Sequence, residues 1–213
     1  FHDCFVTRMR QRAAESDLVI VNHHLLCADA AVRQNAYGEV IPSCDYAIVD
    51  EAHQLEDVAT QYFGLSISNY RVDELARDVE KAVGAHVITD ADRAESVRDD
   101  VDRLRDRARR FFGAVQMIRF DGPGVAAESR LRIRAAQLEP LADEGASLGN
   151  ILSALEADLA LTEKPPEDIL ALARRAAELR NHIDFLLRAD DPTYVYFLER
   201  RGRGIFLRAA PID

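Results

Sequence analysis

The sequence predicts an α/β region followed by a mainly α-helical one, with a partial parallel sheet in the first and an inserted antiparallel helical subdomain in the second. Two short apolar runs at residues 18–21 and 46–49 are continuous and β-branched, which is typical of buried parallel strands. From about residue 69 the composition shifts to long stretches rich in Ala, Leu, Arg and Glu. Such stretches need one another to bury their apolar stripes.

The first region alternates helix and strand signals. An arginine-rich helix is expected near residues 6–15 and a short helix from His24, and a third helix is expected over 54–62, after the second strand. Pro42 marks the turn before that strand. The alternation predicts α/β layering.

The second region reads as four helices followed by a hairpin. The helices are expected over residues 73–83, 91–119, 126–161 and 166–187, the third bent or interrupted near Pro140 and Gly145. Strand-like residues then flank a glycine-containing turn, which predicts a hairpin at 194–207. We therefore divide the chain into an α/β part (1–66), a helical insertion (67–190) and a return hairpin (191–213).

The bulk composition limits the classes of protein. The chain has 213 residues, 48% of them hydrophobic and 30% charged, and its net charge is -10. It begins at Phe1, so we expect a segment of a longer protein. No apolar run reaches the roughly 18 residues of a membrane span, which predicts a cytoplasmic protein with no membrane contact. Nucleic-acid contacts would have to come from local arginine clusters, such as those around Arg8, Arg105, Arg132 and Arg201.

The strongest chemical motif is the strand at 46–49 followed by Asp50, Glu51, Ala52 and His53. Ligands of open parallel sheets sit at the carboxyl ends of strands, where carboxylates help to hold hydrated Mg²⁺ and a nucleotide phosphate. Asp50 is the candidate Mg²⁺ ligand, and Glu51 is the candidate that orients or deprotonates an attacking water. His53 would link this site to the rest of the protein.

Two other interpretations of the motif stay open. Acidic residues also favour helix amino ends, so the pair could simply begin a helix. His23, His24, Asp50, Glu51 and His53 could instead form a zinc hydrolase site, although the two-histidine helical spacing of such sites is absent.

The element N-H-H-L-L at residues 22–26, followed by D-E-A-H at 50–53, resembles the XPD/DinG branch of superfamily 2 helicases, most closely the bacterial DinG-like members. The resemblance covers residues 1 to about 66, and the helical part matches only by position. It implies a RecA-like P-loop NTPase motor domain interrupted by an Arch-like insertion. ATP, Mg²⁺ and single-stranded DNA are the implied ligands, with 5′ to 3′ translocation in DNA repair or replication.

By the same resemblance, Cys4 would be the last ligand of a [4Fe-4S] cluster whose other ligands lie upstream of Phe1. Alternatively, Cys4 is a partly buried free thiol. Asn22 and His23, with Arg8, are candidate DNA contacts, although Asn22 also suits the cap of the following helix. The two roles are compatible.

The remaining expectations concern what the chain does by itself. It has no G-x-x-x-x-G-K-[ST] loop, so we expect no ATP hydrolysis, no unwinding and no bound cofactor in isolation. A binding module for single-stranded DNA or protein partners, built on the helical insertion, is the main alternative to a motor. The arginines at 103–110 are interleaved with aspartates and are expected to be mostly ion-paired. Exposed edges of a partial sheet would favour self-association.

Overall fold

The computed structural model describes residues 4–34, 38–85, 88, 90–118, 128–161 and 165–212, and these form two compact units. Unit 1 is Phe1–Gly64 and unit 2 is Leu65–Asp213. Over these ranges, no helix combines the length and the apolar character of a membrane span.

Unit 1 is built from helices. They are α1 (Phe5–Ala14), α2 (His23–Gln34), a 3₁₀ turn (Ala52–Gln54) and α3 (Leu55–Phe63). α2 packs against α3, and Cys27 and Val58 supply the buried apolar side chains. His24 and Tyr62 meet edge to face across the two helices, with ring centroids 6.0 Å apart.

The predicted parallel strands are not formed in the part of unit 1 that the structure describes. Residues 18–21 and 46–49 belong to no sheet, and their apolar side chains stay in solvent: Ile48 is 99% exposed, Tyr46 91% and Ile20 89%. A parallel strand obtains its backbone hydrogen bonds only from neighbouring strands. The described residues of this unit place no such neighbour beside either segment, so the predicted partial parallel sheet is not shown.

Unit 2 contains four long helices and a sheet. The helices are α4 (Asn69–Gly84), α5 (Ala91–Gln116), α7 (Ala142–Ala160) and α8 (Glu167–Arg188), with the short α6 at Ala135–Leu138. Ser68 caps α4 by accepting the Arg71 N–H at 3.2 Å, and Asp90 caps α5. One buried core joins these helices to the sheet, and Phe111, Leu152 and Ile183 are fully buried within it.

The sheet has four antiparallel strands in the order β1-β4-β3-β2. Its strands are β1 (Leu65–Ser68), β2 (Glu128–Arg132), β3 (Tyr194–Arg201) and β4 (Gly204–Pro211). β3 and β4 form the hairpin that the sequence predicts, turning at Gly202, whose φ of 57° suits glycine. The sheet that the described residues form is therefore antiparallel and lies in unit 2.

The predicted third helix is wrong at its amino end. Residues 126 and 127 lie outside the described ranges, and β2 follows them, paired with β3 through Arg130↔Glu199 and Leu131↔Leu198. Pairing to a neighbouring strand overrides the helical composition of this segment. The interruption at Pro140 is confirmed, as a 3₁₀ turn at Glu139–Leu141.

Gly145 does not interrupt α7. It allows close packing instead, because an added Cβ would lie 2.0 Å from Leu187 Cδ1 on α8. The helix predicted over 91–119 ends at Gln116, and residue 119 lies outside the described ranges.

Candidate active site

The D-E-A-H residues form a tight turn that leads into α3. The Glu51 backbone has φ 48°, a left-handed conformation that is unfavourable for a residue with a β-carbon. Asp50 Oδ1 accepts the Glu51 N–H at 3.0 Å, and the Gln54 N–H donates to the Glu51 carbonyl oxygen at 2.8 Å. Strained residues of this kind concentrate at functional sites, where the surrounding bonds hold them.

The turn presents its ionisable side chains to solvent. The Glu51 and His53 side chains are 62% and 73% exposed, and His53 Nδ1 lies 3.3 Å from Glu51 Oε2. Asp50 is also exposed. Carboxylate oxygens are the ligands that Mg²⁺ prefers, so the donors present fit a Mg²⁺-nucleotide site.

Asn22 and His23 lie at the start of α2. Asn22 Oδ1 accepts the Leu25 N–H at 2.8 Å, which confirms its capping role. His23 Nε2 donates to the Asp50 carbonyl oxygen at 2.9 Å, a contact 27 residues apart in sequence. The two motifs noted in the sequence are thus in direct contact. Arg8 is on α1, exposed. DNA contact by Asn22, His23 and Arg8 stays a prediction.

Cys4 is an exposed thiol directly before α1. Hydrogen bonds from the backbone N–H groups of Thr7 and Val6 lower the pKa of the Cys4 thiol, as expected at a helix amino end. A thiolate is the form that binds iron, so the chemistry of Cys4 fits a cluster ligand. Cys27 is buried, and burial raises the pKa of its thiol.

The zinc hydrolase interpretation gains no geometric support. Among the residues whose placement is described, no group of three or more His, Cys, Asp or Glu side chains is arranged to hold a metal ion. His24 contacts Tyr62 and His23 contacts the Asp50 backbone, so these two imidazoles make other contacts.

A buried carboxylate on α2, Asp29, was not singled out by the sequence. Its oxygens accept the N–H groups of Val40 at 2.6 Å and Ile41 at 2.9 Å, and Arg33 Nε at 2.7 Å. Arg33 also donates to the Ile41 carbonyl oxygen at 2.5 Å. Asp29 and Arg33 thereby tie residues 40–41 to α2. The spacing of four residues between Asp29 and Arg33 is the one sequence signal for this clamp.

Most of the arginine run of α5 is ion-paired, as its sequence pattern predicts. Arg103 pairs with Asp100 at 3.6 Å, and Arg110 pairs with Asp106 at 3.0 Å. Arg105 pairs with Glu80 of α4. These guanidinium groups are engaged within unit 2, which favours the ion-paired interpretation over direct phosphate binding.

Comparison with known proteins supports a helicase relationship. The chain is 32% identical over 214 aligned residues, its whole length, to the ATP-dependent DNA helicase YoaA of Escherichia coli. It is 46% identical over 79 residues to YoaA of Haemophilus influenzae, and 33% identical over 85 residues to the ATP-dependent helicase DinG of Mycobacterium tuberculosis. These two matches cover 37% and 40% of the chain. No family model matches the chain.

The matched lengths define how much of a relative the chain represents. It spans 32% of the length of the Escherichia coli protein, and the other two matches each cover 12% of the relative. The identity along the whole chain and the presence of the D-E-A-H turn both indicate a relationship to helicases. The chain is therefore a homologue of the YoaA and DinG helicases, which supports the resemblance of its motifs to the DinG type.

Proposed function

We propose that this chain is the D-E-A-H-containing part of an ATP-dependent DNA helicase that couples ATP hydrolysis to 5′ to 3′ movement along single-stranded DNA. The observation that carries the proposal is the 32% identity to a DNA helicase along the whole length of this chain, which contains the strained turn at Glu51. Such a protein would serve DNA repair or replication in the cytoplasm.

The turn at Asp50–His53 would serve the nucleotide. The Asp50 carboxylate would hold Mg²⁺, which neutralises phosphate charge when it is bound. The Glu51 carboxylate, carried on a left-handed backbone, would orient or deprotonate the attacking water. His53, 3.3 Å from Glu51, would transmit the state of this carboxylate to the rest of the motor.

The contact between His23 and the Asp50 carbonyl oxygen would connect DNA binding to ATP hydrolysis. It joins the start of α2, where Asn22 and His23 would meet the DNA strand, to the carboxylate turn. A shift of α2 on DNA binding would change the support of that turn. Arg8 on α1 would add a phosphate contact.

Cys4 would be one ligand of a [4Fe-4S] cluster in the longer protein. The lowered pKa of its thiol favours the thiolate that iron requires. The other three ligands would lie outside this chain, and Cys27 and Cys44 would not contribute. The exposed apolar side chains at positions 18, 20, 46 and 48 would pack against further strands of the motor domain or, without them, favour self-association.

The test is steady-state ATP hydrolysis by the longer protein that contains this chain, with and without single-stranded DNA. DNA-stimulated turnover should fall by about 10²-fold or more in Glu51→Gln, because the amide cannot take a proton from water. Glu56→Gln, an exposed carboxamide substitution five residues away on α3, is the matched control and should keep wild-type turnover.

The 213-residue chain alone should hydrolyse no ATP above its own Glu51→Gln variant, since the phosphate-binding loop is absent from its sequence. Turnover above that control would contradict the proposed inactivity. Full DNA-stimulated turnover by the Glu51→Gln form of the longer protein would contradict the assigned role of Glu51.

A further inference from the structure

The sheet of unit 2 has one face against the helices and another that carries arginine and phenylalanine. On the helix side, Tyr196, Leu198 and Leu207 belong to the hydrophobic core. Because side chains alternate along each strand, their neighbours in the register point the other way. We call this second side the arginine face and define it by Arg130, Arg132, Phe197, Arg201, Phe206 and Arg208.

Guanidinium groups cover the aromatic rings of the arginine face. Arg130 Cζ lies 3.8 Å from the centroid of the Phe197 ring, and Arg208 Cζ lies 4.9 Å from that of Phe206. Phe197 is only 3% exposed, yet it is not part of the core cluster. Cation–π contacts of this kind hold a guanidinium group over an aromatic ring.

The arginine face is locally positive on an acidic protein. Arg130, Arg132 and Arg201 are exposed. The buried Glu199 carboxylate forms ion pairs with Arg208, at 3.2 Å, and with Arg201. Among the side chains described on this face, four guanidinium groups thus meet one carboxylate, whereas the whole chain carries a net charge of -10.

An exposed aromatic ring adjoins the same face. Tyr70, on α4, is 47% exposed, and its ring lies 6.2 Å from the ring of Phe206. It lies over β4, since a Cβ added to Gly204 would come within 2.6 Å of Tyr70 Cε2. Guanidinium groups over aromatic rings and an exposed phenol ring therefore occur together on a positive surface.

We propose that the arginine face binds single-stranded nucleic acid. A phosphate would pair with Arg132, and unpaired bases would stack on the Arg130 plane and on Tyr70. A duplex keeps its base faces stacked inside, so it could use only the phosphate contacts. This binding needs no nucleotide and no Glu51, and therefore it does not depend on the proposed ATPase role.

The test uses the 213-residue chain and fluorescence anisotropy of a labelled oligothymidylate of about twenty nucleotides, long enough for one binding face. Arg130→Glu/Arg132→Glu should weaken binding by about tenfold or more and flatten the dependence of log Kd on log salt by about 0.7, from the lost phosphate contact of Arg132. Arg109→Glu/Arg110→Glu on α5 makes the same charge change at arginines paired with Asp106, and it should have a much smaller effect.

A further variant distinguishes base stacking from charge. Arg130→Lys keeps the positive charge but removes the planar guanidinium group. Combined with Tyr70→Leu, it should reduce the preference of the chain for single-stranded over duplex nucleic acid. Thermal melting monitored by circular dichroism confirms that each variant is folded, and Arg130→Gln/Arg132→Gln replaces the charge reversal if that variant unfolds.

Three results would overturn the proposal. The first is equal weakening by the α5 control, which would indicate only a general charge effect. The second is unchanged binding in every folded variant of Arg130 and Arg132. The third is displacement of the oligonucleotide by polyglutamate at the same charge concentration, which would identify the face as a site for acidic protein segments.

Discussion

Replacement of Asp29 by alanine tests how the residues before the D-E-A-H turn are held to α2. The Asp29 side chain is buried, and its carboxylate accepts three hydrogen bonds, from Val40, Ile41 and Arg33. Hydrogen bonds to a charged group contribute about 1.5–3 kcal/mol each when buried, and an unsatisfied buried donor costs about 1–3 kcal/mol. Val40 and Ile41 are only half-buried, so water can replace part of each bond.

From these terms we expect Asp29→Ala to lower the free energy of unfolding of unit 1 by about 3 kcal/mol, below the simple sum because the bonds share one carboxylate. Asp29→Asn should cost less. Its amide oxygen can still accept from Val40 and Ile41, while its NH₂ group would face the Arg33 donor.

Hydrogen–deuterium exchange of the Val40 and Ile41 amides is the direct assay, because it reads the clamp in unit 1 without requiring global unfolding. Both amides should lose protection in Asp29→Ala and keep most of it in Asp29→Asn. Unchanged protection in Asp29→Ala would refute the assigned bonds, and equal loss in both variants would show that charge, not geometry, holds the segment.

The sign of the pH dependence follows from the same contacts. Burial raises the pKa of Asp29. The hydrogen bonds from the Ile41 N–H, Arg33 and the Val40 N–H lower this pKa by more than burial raises it, so the pKa lies below its usual value. The stabilisation is therefore present above the unfolded pKa of about 3.9 and is lost as pH falls through the folded pKa. Asp29→Asn should remove this acid-dependent part of the exchange protection.

Three further predictions concern other ionisable groups. Burial raises the pKa of Asp100, so the charged carboxylate destabilises unit 2 once pH has risen through the folded pKa. Asp100→Asn should therefore raise Tm at neutral pH. It should have little effect near pH ~3, where the acid is protonated. Burial lowers the pKa of His182, so the neutral imidazole stabilises unit 2 above about pH 6.5, and this stabilisation is lost as pH falls through the folded pKa. His182→Gln should therefore flatten the dependence of Tm on pH between about pH 5 and 7. An unchanged slope would contradict this. Iodoacetamide should alkylate Cys4 fastest and Cys27 slowest, by mass spectrometry of a short reaction, and equal rates would contradict the pKa directions.

The elements recovered from sequence are those with strong local signals. α8 carries a sustained apolar stripe, the hairpin at β3 and β4 has alternation around a glycine turn, and the α5 arginines have aspartates three or four residues away. In each case the signal and the interaction lie within a few residues of one another, so no knowledge of distant partners is needed.

The predictions of secondary structure were wrong for segments whose structure depends on a strand that is distant in sequence. β2 has a helical composition and becomes a strand because β3 lies beside it, about 70 residues later in the chain. The period-two placement of Arg130 and Arg132 could have signalled this strand, but reading the segment as a helix obscured it. Conversely, residues 46–49 have the composition of a strand and form none among the described residues, since a strand exists only when another pairs with it.

The sequence by itself determined the D-E-A-H motif, its helicase resemblance and the helical character of the second unit, because these depend on residue types at short spacing. Only the tertiary structure decided that His23 contacts the Asp50 carbonyl oxygen, that Asp29 holds residues 40–41, and that arginines from β2, β3 and β4 share one face. Each of these contacts joins residues from different segments of the chain. Their geometry depends on the packing and register of whole elements, which short-range residue patterns do not specify.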